Sequence, residues 1–271
     1  MSTLPPVVLT IAGSDSGGGA GIEMDLKVFA ALGAFGTCAV TALTAQNTLG
    51  VRGAWQAPPD FVKDQIAAVL DDLPVKAAKT GMLSSQEVVL AVADLARTRS
   101  FPPLVVDPVV VAKDGTHLLS DAGLAALREH LLPAAALVTP NVPEAEALTG
   151  ARIGSEQDLS GVAAKLRAAG CSWVLLKGGH LGGKQVTDLL LGPSFEQALS
   201  SPRIPGGPLH GTGCALSAAI AVHLARGLSI PDAVHEARTF LQGLIADALA
   251  LGKGALVLHP QPSIASGRNA P

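Results

Sequence analysis

The chain has 271 residues, 48% hydrophobic and 15% charged, with a net charge of −3 and no tyrosine. That much apolar material excludes a disordered protein and leads us to expect one large domain spanning residues 1–271. The weak charge supplies no basic stripe for nucleic acid or an anionic membrane, and 3% aromatic residues make poor base-stacking platforms, so a small-molecule ligand is favoured.

Taken in chain order, the opening ten residues carry no basic leader, and no apolar run anywhere reaches about eighteen residues, so a soluble, unexported chain is expected. Short apolar runs at residues 7–12, 75–78, 104–106, 136–139 and 173–177 read as buried strands. Amphipathic segments between and after them predict helices over 22–32, 60–70, 85–97, 121–130, 156–169, 212–226 and 231–251, with a short helix opened by Pro143 and closed at Thr149-Gly150. Such alternation implies a mostly parallel sheet with helices on both faces. Residues 185–191 and 195–204, joined at Gly192-Pro193, read instead as a hairpin and predict an antiparallel edge. The ends, 1–6 and 260–271, are expected to be mobile. Cys38, Cys171 and Cys214 are odd in number and too far apart for a disulfide framework or a zinc knuckle, which points to a reducing, cytoplasmic setting.

Four constellations could carry chemistry. The turn Gly13-Ser-Asp-Ser-Gly-Gly-Gly-Ala-Gly21 lets backbone approach a ligand at the end of the first strand, but it matches neither the dinucleotide fingerprint nor a P-loop, and a flexible strand-to-helix loop explains it equally well. Asn141-Val-Pro-Glu144 combines an amide and a carboxylate suited to the water shell of a phosphate-bound magnesium ion, or simply a helix cap with a first-turn acid. Gly178-Gly-His-Leu-Gly-Gly-Lys184 spells most of a P-loop, yet Gln185 stands where a hydroxyl would hold magnesium and strand follows instead of helix, so it reads as a hairpin turn. His210-Gly-Thr-Gly-Cys-Ala-Leu-Ser217 opens an apolar helix whose exposed N–H groups and dipole suit an anion. Cys214 would lie in its first turn, where thiols commonly ionise more readily; a small residue packed under a helix start is the bland alternative.

These pieces occur together in one order. With Thr10-Ile-Ala-Gly-Ser-Asp15, Gly18-Gly-Ala-Gly-Ile22, Asp25-Leu-Lys27, Thr41-Ala-Leu-Thr-Ala-Gln-Asn-Thr48, Lys79-Thr-Gly-Met82, Val106-Asp-Pro-Val109, Thr139-Pro-Asn-Val-Pro-Glu144, Lys177-Gly-Gly-His180 and His210-Gly-Thr-Gly-Cys214, the chain resembles the hydroxymethylpyrimidine/phosphomethylpyrimidine kinase family of thiamine biosynthesis, within the ribokinase-like superfamily. The resemblance spans nearly the whole chain. It implies a ribokinase-like three-layer α/β sandwich and ATP-dependent transfer of two successive phosphates, first to a hydroxymethyl oxygen and then to the phosphate so formed.

The same resemblance assigns roles. Gly211, Thr212, Gly213 and Cys214 match the catalytic anion hole, with Cys214 where ribokinase-like sugar kinases carry an aspartate base. Gln46 matches the residue facing the aminopyrimidine, where its amide can accept from the exocyclic amine and donate to a ring nitrogen. Gly13, Ala20, Asp25, Thr44 and Met82 match other substrate-pocket positions. Lys177, Asn141, Glu144, Asp188 and Asp107 match the nucleotide neighbourhood, and Asp107 and Glu144 would approach Mg2+ through water or phosphate. A homodimer, an optional K+ and a flap at Ala112-Lys-Asp-Gly-Thr116 are further implications. Ala215, Gly17 and Pro205-Gly-Gly-Pro208 depart from the common pattern without removing a proposed catalytic group. His210 reads equally well as a phosphate-side donor and as a structural residue. Two readings compete: a pyridoxal-type kinase of the same superfamily, disfavoured by Gln46, and a catalytically silent pyrimidine sensor, which would not need this set of polar residues.

Overall fold

Strands that read as unbroken apolar runs belong in a sheet covered on both faces, because successive side chains point to opposite sides. In the computed structural model, which describes residues 4–98, 100–110 and 118–261, this is the arrangement found. The expectation of mobile ends falls largely, and that of the flap wholly, outside the described residues.

The strands are β1 Val7–Gly13, β2 Phe35–Asn47, β3 Gly50–Gln56, β4 Val75–Thr80, β5 Leu104–Val106, β6 Leu137–Val138, β7 Val174–Leu176, β8 Gln185–Gly192, β9 Phe195–Pro202, β10 Leu209–His210 and β11 Leu256–Val257. The first nine form one sheet in the order β3-β2-β1-β4-β5-β6-β7-β8-β9. From β2 to β7 the pairing is parallel; β3 at one edge and β8 and β9 at the other are antiparallel. The expected antiparallel hairpin is therefore present, and β10 and β11 make a separate parallel pair.

Alternation along each central strand divides the core in two. Leu9, Val106, Val138 and Leu176 face one layer, while their neighbours Val8, Val105, Leu137 and Leu175 face the other. The first layer is covered by α2 Pro59–Asp72, α3 Gln86–Thr98, α4 Asp121–Ala126, α5 Val142–Thr149 and α6 Asp158–Ala168. The second is covered by α1 Gly21–Ala31, α7 Thr212–Ala225 and α8 Ile230–Ala246. In α7 every residue from Ala215 to His223 is buried, as an all-apolar helix requires.

Three expectations need correction. β2 and β3 were not foreseen: much of β2 is Ala, Gly and Thr with mixed exposure, and β3 is largely exposed, so neither shows a clean apolar alternation. β4 runs on to Thr80, two residues past the expected end, and the Lys79 side chain within that extension is fully buried. α8 stops at Ala246, short of residue 251; the chain turns there and Leu249 returns to bridge Val257. The helix expected over 121–130 is α4, continued by a wider π-type segment at Leu127–Leu131.

Candidate active site

The loops at the carboxyl ends of the parallel strands, together with the start of α7, line a cleft of about 920 Å³, which is where open α/β sheets take ligands. At the β2 side it is walled by Gly13, Ala20, Thr44, Gln46 and Met82. Towards β7 the wall is made by Asp107, Asn141, Glu144, Lys177 and Asp188, and Gly211, Thr212, Gly213 and Cys214 contribute between them. Thus fourteen of the fifteen residues singled out in the sequence meet in one cleft.

Asp25 does not. It is completely buried on α1, accepting from the Thr10 hydroxyl at 2.6 Å and from Lys79 Nζ at 3.0 and 2.8 Å, so no ligand reaches it. Lys79 is equally buried; burial opposes its charge, but the Asp25 carboxylate outweighs this and raises its pKa. The pair lies behind the cleft wall and sets the field there. Lys79 stands in one of the segments that carry the resemblance but received no role there, and its buried partner Asp25 is 54 residues away in sequence.

The candidate anion hole would be built on backbone. Gly211 precedes α7 with φ +79°, and a Cβ there would run into the Gly19 carbonyl oxygen, so only glycine allows the helix start to lie against the Gly-rich turn. A Cβ on Gly213 would sit 3.3 Å from both Asp107 Oδ2 and Lys177 Nζ, filling the space in front of that ion pair. Cys214 is partly exposed at the same end. Burial pushes its thiol up to about 11, against the opposing pull of Lys79, which corrects the expectation of an easily ionised thiol.

Asp107 follows β5 and receives a bond from Lys177 Nζ at 2.9 Å and from the Thr139 hydroxyl at 3.1 Å. Burial alone would raise its carboxyl, but the Lys177 and Lys79 charges outweigh that and hold it below the usual range. Asn141 and Glu144 form a reciprocal capping box at the start of α5: the Asn141 side chain accepts from the Glu144 N–H at 2.9 Å, and Glu144 Oε2 accepts from the Asn141 N–H at 2.7 Å. Burial pushes Glu144 up to about 7, with Lys177 pulling the other way and Asp107 adding to the rise. Asp188 on β8 accepts from the Gly178 N–H and from Arg238 Nε, both at 2.9 Å. The turn between β7 and β8, expected to be a hairpin and not a P-loop, is held by Arg203, whose guanidinium donates to the carbonyls of Gly179, Leu181 and Gly183.

Nucleotide phosphate and magnesium fit these residues. The glycine cradle leaves room for phosphate oxygens beside N–H groups and an ammonium. Among the described residues no cluster of three or more ligating side chains could cage a bare ion. Two buried carboxylates suit an ion that keeps much of its water shell.

Two residues that the sequence left unassigned or undecided stand at the β2 end. Asp15 accepts backbone N–H bonds from Gly17, Gly19 and Ala20, and its Oδ2 lies 2.9 Å from His210 Nε2. The same ring nitrogen is 3.0 Å from the Gln46 side-chain amide. An aspartate beside Gly17 signals an Asx-type turn, but nothing local points to a partner so distant in sequence.

A parallel sheet with helices on both faces, antiparallel edges and an anion-binding helix start over the strand ends defines a ribokinase-like α/β kinase. The sequence model of the Phosphomethylpyrimidine kinase family matches residues 15–259. The hydroxymethylpyrimidine/phosphomethylpyrimidine kinase of Streptomyces coelicolor is 50% identical over 250 residues, covering 92% of each chain. The crystal structure of phosphomethylpyrimidine kinase from Clostridium difficile 630 aligns with TM-score 0.79 and 40% identity, over 89% of this chain and 99% of that one. Bacillus subtilis pyridoxal kinase, crystallised as an ADP complex, aligns with TM-score 0.88 and 32% identity, over 94% and 97%. The chain belongs to the phosphomethylpyrimidine kinase family and is an enzyme of that kinase class.

Proposed function

We propose that this kinase moves a phosphoryl group from ATP to the hydroxymethyl oxygen of 4-amino-5-hydroxymethyl-2-methylpyrimidine, and then a second one to the resulting monophosphate, supplying the diphosphate for thiamine biosynthesis. The observation that carries the reading is the short segment His210 to Cys214: His210 touches Gln46 at the ring-reading end, and Gly213 faces Asp107 and Lys177 at the phosphate end. One stretch of backbone therefore connects the two halves of the reaction.

Gln46 offers one acceptor and one donor to the aminopyrimidine edge, and Met82 lays a soft thioether against the ring. The N–H groups from Gly211 to Cys214, at the positive end of α7, hold the transferring phosphate. Lys177 supplies a point charge, and the ionised Asp107 keeps that charge in place. Asn141 and Glu144 would hold Mg2+ through its water shell, and the ion would supply charge neutralisation to the phosphate oxygens. A loose transition state asks little of a base, so the protonated Cys214 thiol is compatible with transfer. In the second step the acceptor is already an anion and needs none.

The finer elements of the reading stand with it. ATP as donor agrees with the ADP complex of the B. subtilis relative. K+ rests on family resemblance alone and is tested by comparing rates in K+ and Na+. A homodimer is supported by exposed Leu43, Leu49, Trp55 and Phe61 on and beside the β2–β3 hairpin, where Leu43 and Trp55 are cross-strand partners. A cytoplasmic setting agrees with the absence, among the described residues, of a helix long and apolar enough to cross a membrane.

The high TM-score to a pyridoxal kinase makes pyridoxal the informative competitor. With both compounds assayed side by side for ATP consumption, the aminopyrimidine should give the larger kcat/KM; preference for pyridoxal would replace this reading.

A further inference from the structure

The Gln46 side chain is placed by contacts on both sides. One side-chain atom, Nε2, lies 3.0 Å from His210 Nε2; the other, Oε1, lies 3.3 Å from the Thr44 hydroxyl. Both contacts set like against like. Asp15 is an acceptor at each oxygen, with three backbone N–H groups directed at it, so the His210 nitrogen 2.9 Å away carries its proton and donates. Burial alone would raise the Asp15 carboxyl, but the His210 hydrogen bond and the turn N–H groups outweigh it and keep the acid ionised. A ring N–H cannot accept from an amide N–H. At the other side, Thr44 already spends its single proton on the Ser14 carbonyl at 2.8 Å, so its hydroxyl can only accept from Gln46.

Half a turn about the last side-chain bond exchanges amide oxygen and nitrogen without changing the shape, and it satisfies both neighbours. The carbonyl then shares the single His210 Nε2 proton with Asp15 in a three-centre bond, and the amino group donates to Thr44. The backbone of Gln46 does not move in this turn: Ser16 Oγ donates to its carbonyl and accepts from its N–H, both at 2.8 Å.

We infer that Asp15 and His210 are positioning residues that lock the Gln46 amide with its carbonyl towards His210 and its amino group towards Thr44, and that this lock selects amino over oxo pyrimidines. The inference rests on the reading that Gln46 faces the ring. The locked amide presents an acceptor for an exocyclic amine and, beside it, a donor for a bare ring nitrogen. The 4-oxo analogue offers the reverse, a carbonyl and a ring N–H, and meets like groups at both points. Without His210 only the longer Thr44 contact opposes the turn, and the amide accommodates either edge more readily.

The test compares kcat/KM for the 4-amino substrate and its 4-oxo analogue in the wild type, in His210→Phe and in Gln46→Leu. In His210→Phe the amino-over-oxo preference should fall by roughly tenfold to a hundredfold, because only the analogue gains from a turned amide. Equal losses on both substrates, with the ratio intact, would show a merely structural histidine and overturn the lock. Gln46→Leu tests the parent reading separately: an unchanged KM for the amino substrate overturns ring recognition by Gln46, whatever His210 does. A second measurement does not depend on a variant folding. The 15N shifts of His210 in the wild-type protein should report a proton on Nε2, and a neutral ring protonated only on Nδ1 would overturn the lock.

Discussion

At the scale of single residues, the half-buried Cys214 thiol and the fully buried Asp25–Lys79 pair depart from what their local sequence suggests, and both departures have electrostatic causes. Cys214 sits in the first turn of α7, where helix N–H groups favour a thiolate, yet burial dominates and pushes the thiol up to about 11 from its ordinary 9.0. At pH 8 that leaves about one thiolate in a thousand, where an ordinary thiol would give about one in ten. Alkylation of Cys214 by iodoacetamide, followed by peptide mass, should therefore still be accelerating at pH 10; a plateau below pH 9 would contradict the burial argument. A thiol that stays protonated at neutral pH is a poor resting base. Cys214→Ala should then lose less than about a hundredfold in the first phosphorylation, under the usual range for a full general base, and still less in the second. Equal losses in the two steps would point to a purely steric role. The other departure is the Asp25–Lys79 ion pair, in which both charged side chains are fully buried and hydrogen-bonded to each other. Lys79→Met strands the Asp25 carboxylate and should cost about 3–5 kcal/mol, lowering Tm on the order of 10 °C, whereas the double variant Lys79→Met with Asp25→Leu should recover much of that loss. A single variant as stable as the wild type would mean that the pair is not ionised.

At the scale of elements, α7 brings the two ends of the reaction together. Its start is set by Gly211, where a Cβ would strike the Gly19 carbonyl and φ is +79°. Gly211→Ala should shift the helix start away from the Gly-rich turn and reduce kcat by about a hundredfold or more, since small misplacements of phosphate-holding groups are costly. Wild-type turnover in that variant would show that the turn yields at no cost. The element was legible in advance because small residues at a helix start followed by an apolar run have few other uses. The parallel strands were legible because burial on both faces writes continuous apolar runs, whereas the 185–204 hairpin, whose second strand is largely exposed, was legible from the turn at Gly192-Pro193 between two strand-like segments. The β2–β3 hairpin was not legible, because its side chains divide among the cleft, the core and solvent. Within the site, the Asn141–Glu144 capping box was readable from local chemistry, while Gln46, Asp107, Lys177 and Asp188 were readable only through the resemblance. A contact was unreadable where the partner comes from far away: Asp15 finds His210 across most of the chain, and Lys79 finds its own partner, Asp25, on a different element.

At the scale of the whole molecule, the proposed reading asks a chain of net charge −3 to take a polyanionic ligand without a basic surface. On that reading backbone N–H groups, a helix terminus and the largely buried Lys177 would act locally, in a cleft where their fields are poorly screened. Nucleotide with Mg2+ should raise the apparent Tm with the logarithm of its concentration above Kd, and Lys177→Met should weaken that rise. The apolar hairpin face around Trp55 is the other whole-molecule feature. Trp55→Lys should convert a dimer to a monomer in sedimentation velocity, and a wild-type protein that sediments as a monomer at micromolar concentration would remove the dimer from the account. The central claim, successive phosphorylation of one aminopyrimidine in one cleft, is tested most directly by product mass and ATP stoichiometry. The pyrimidine alcohol should pass through a monophosphate to a diphosphate with two ATP consumed per ring, and the monophosphate supplied alone should consume one. A reaction that stops at the monophosphate, or consumes ATP only with pyridoxal, would contradict it.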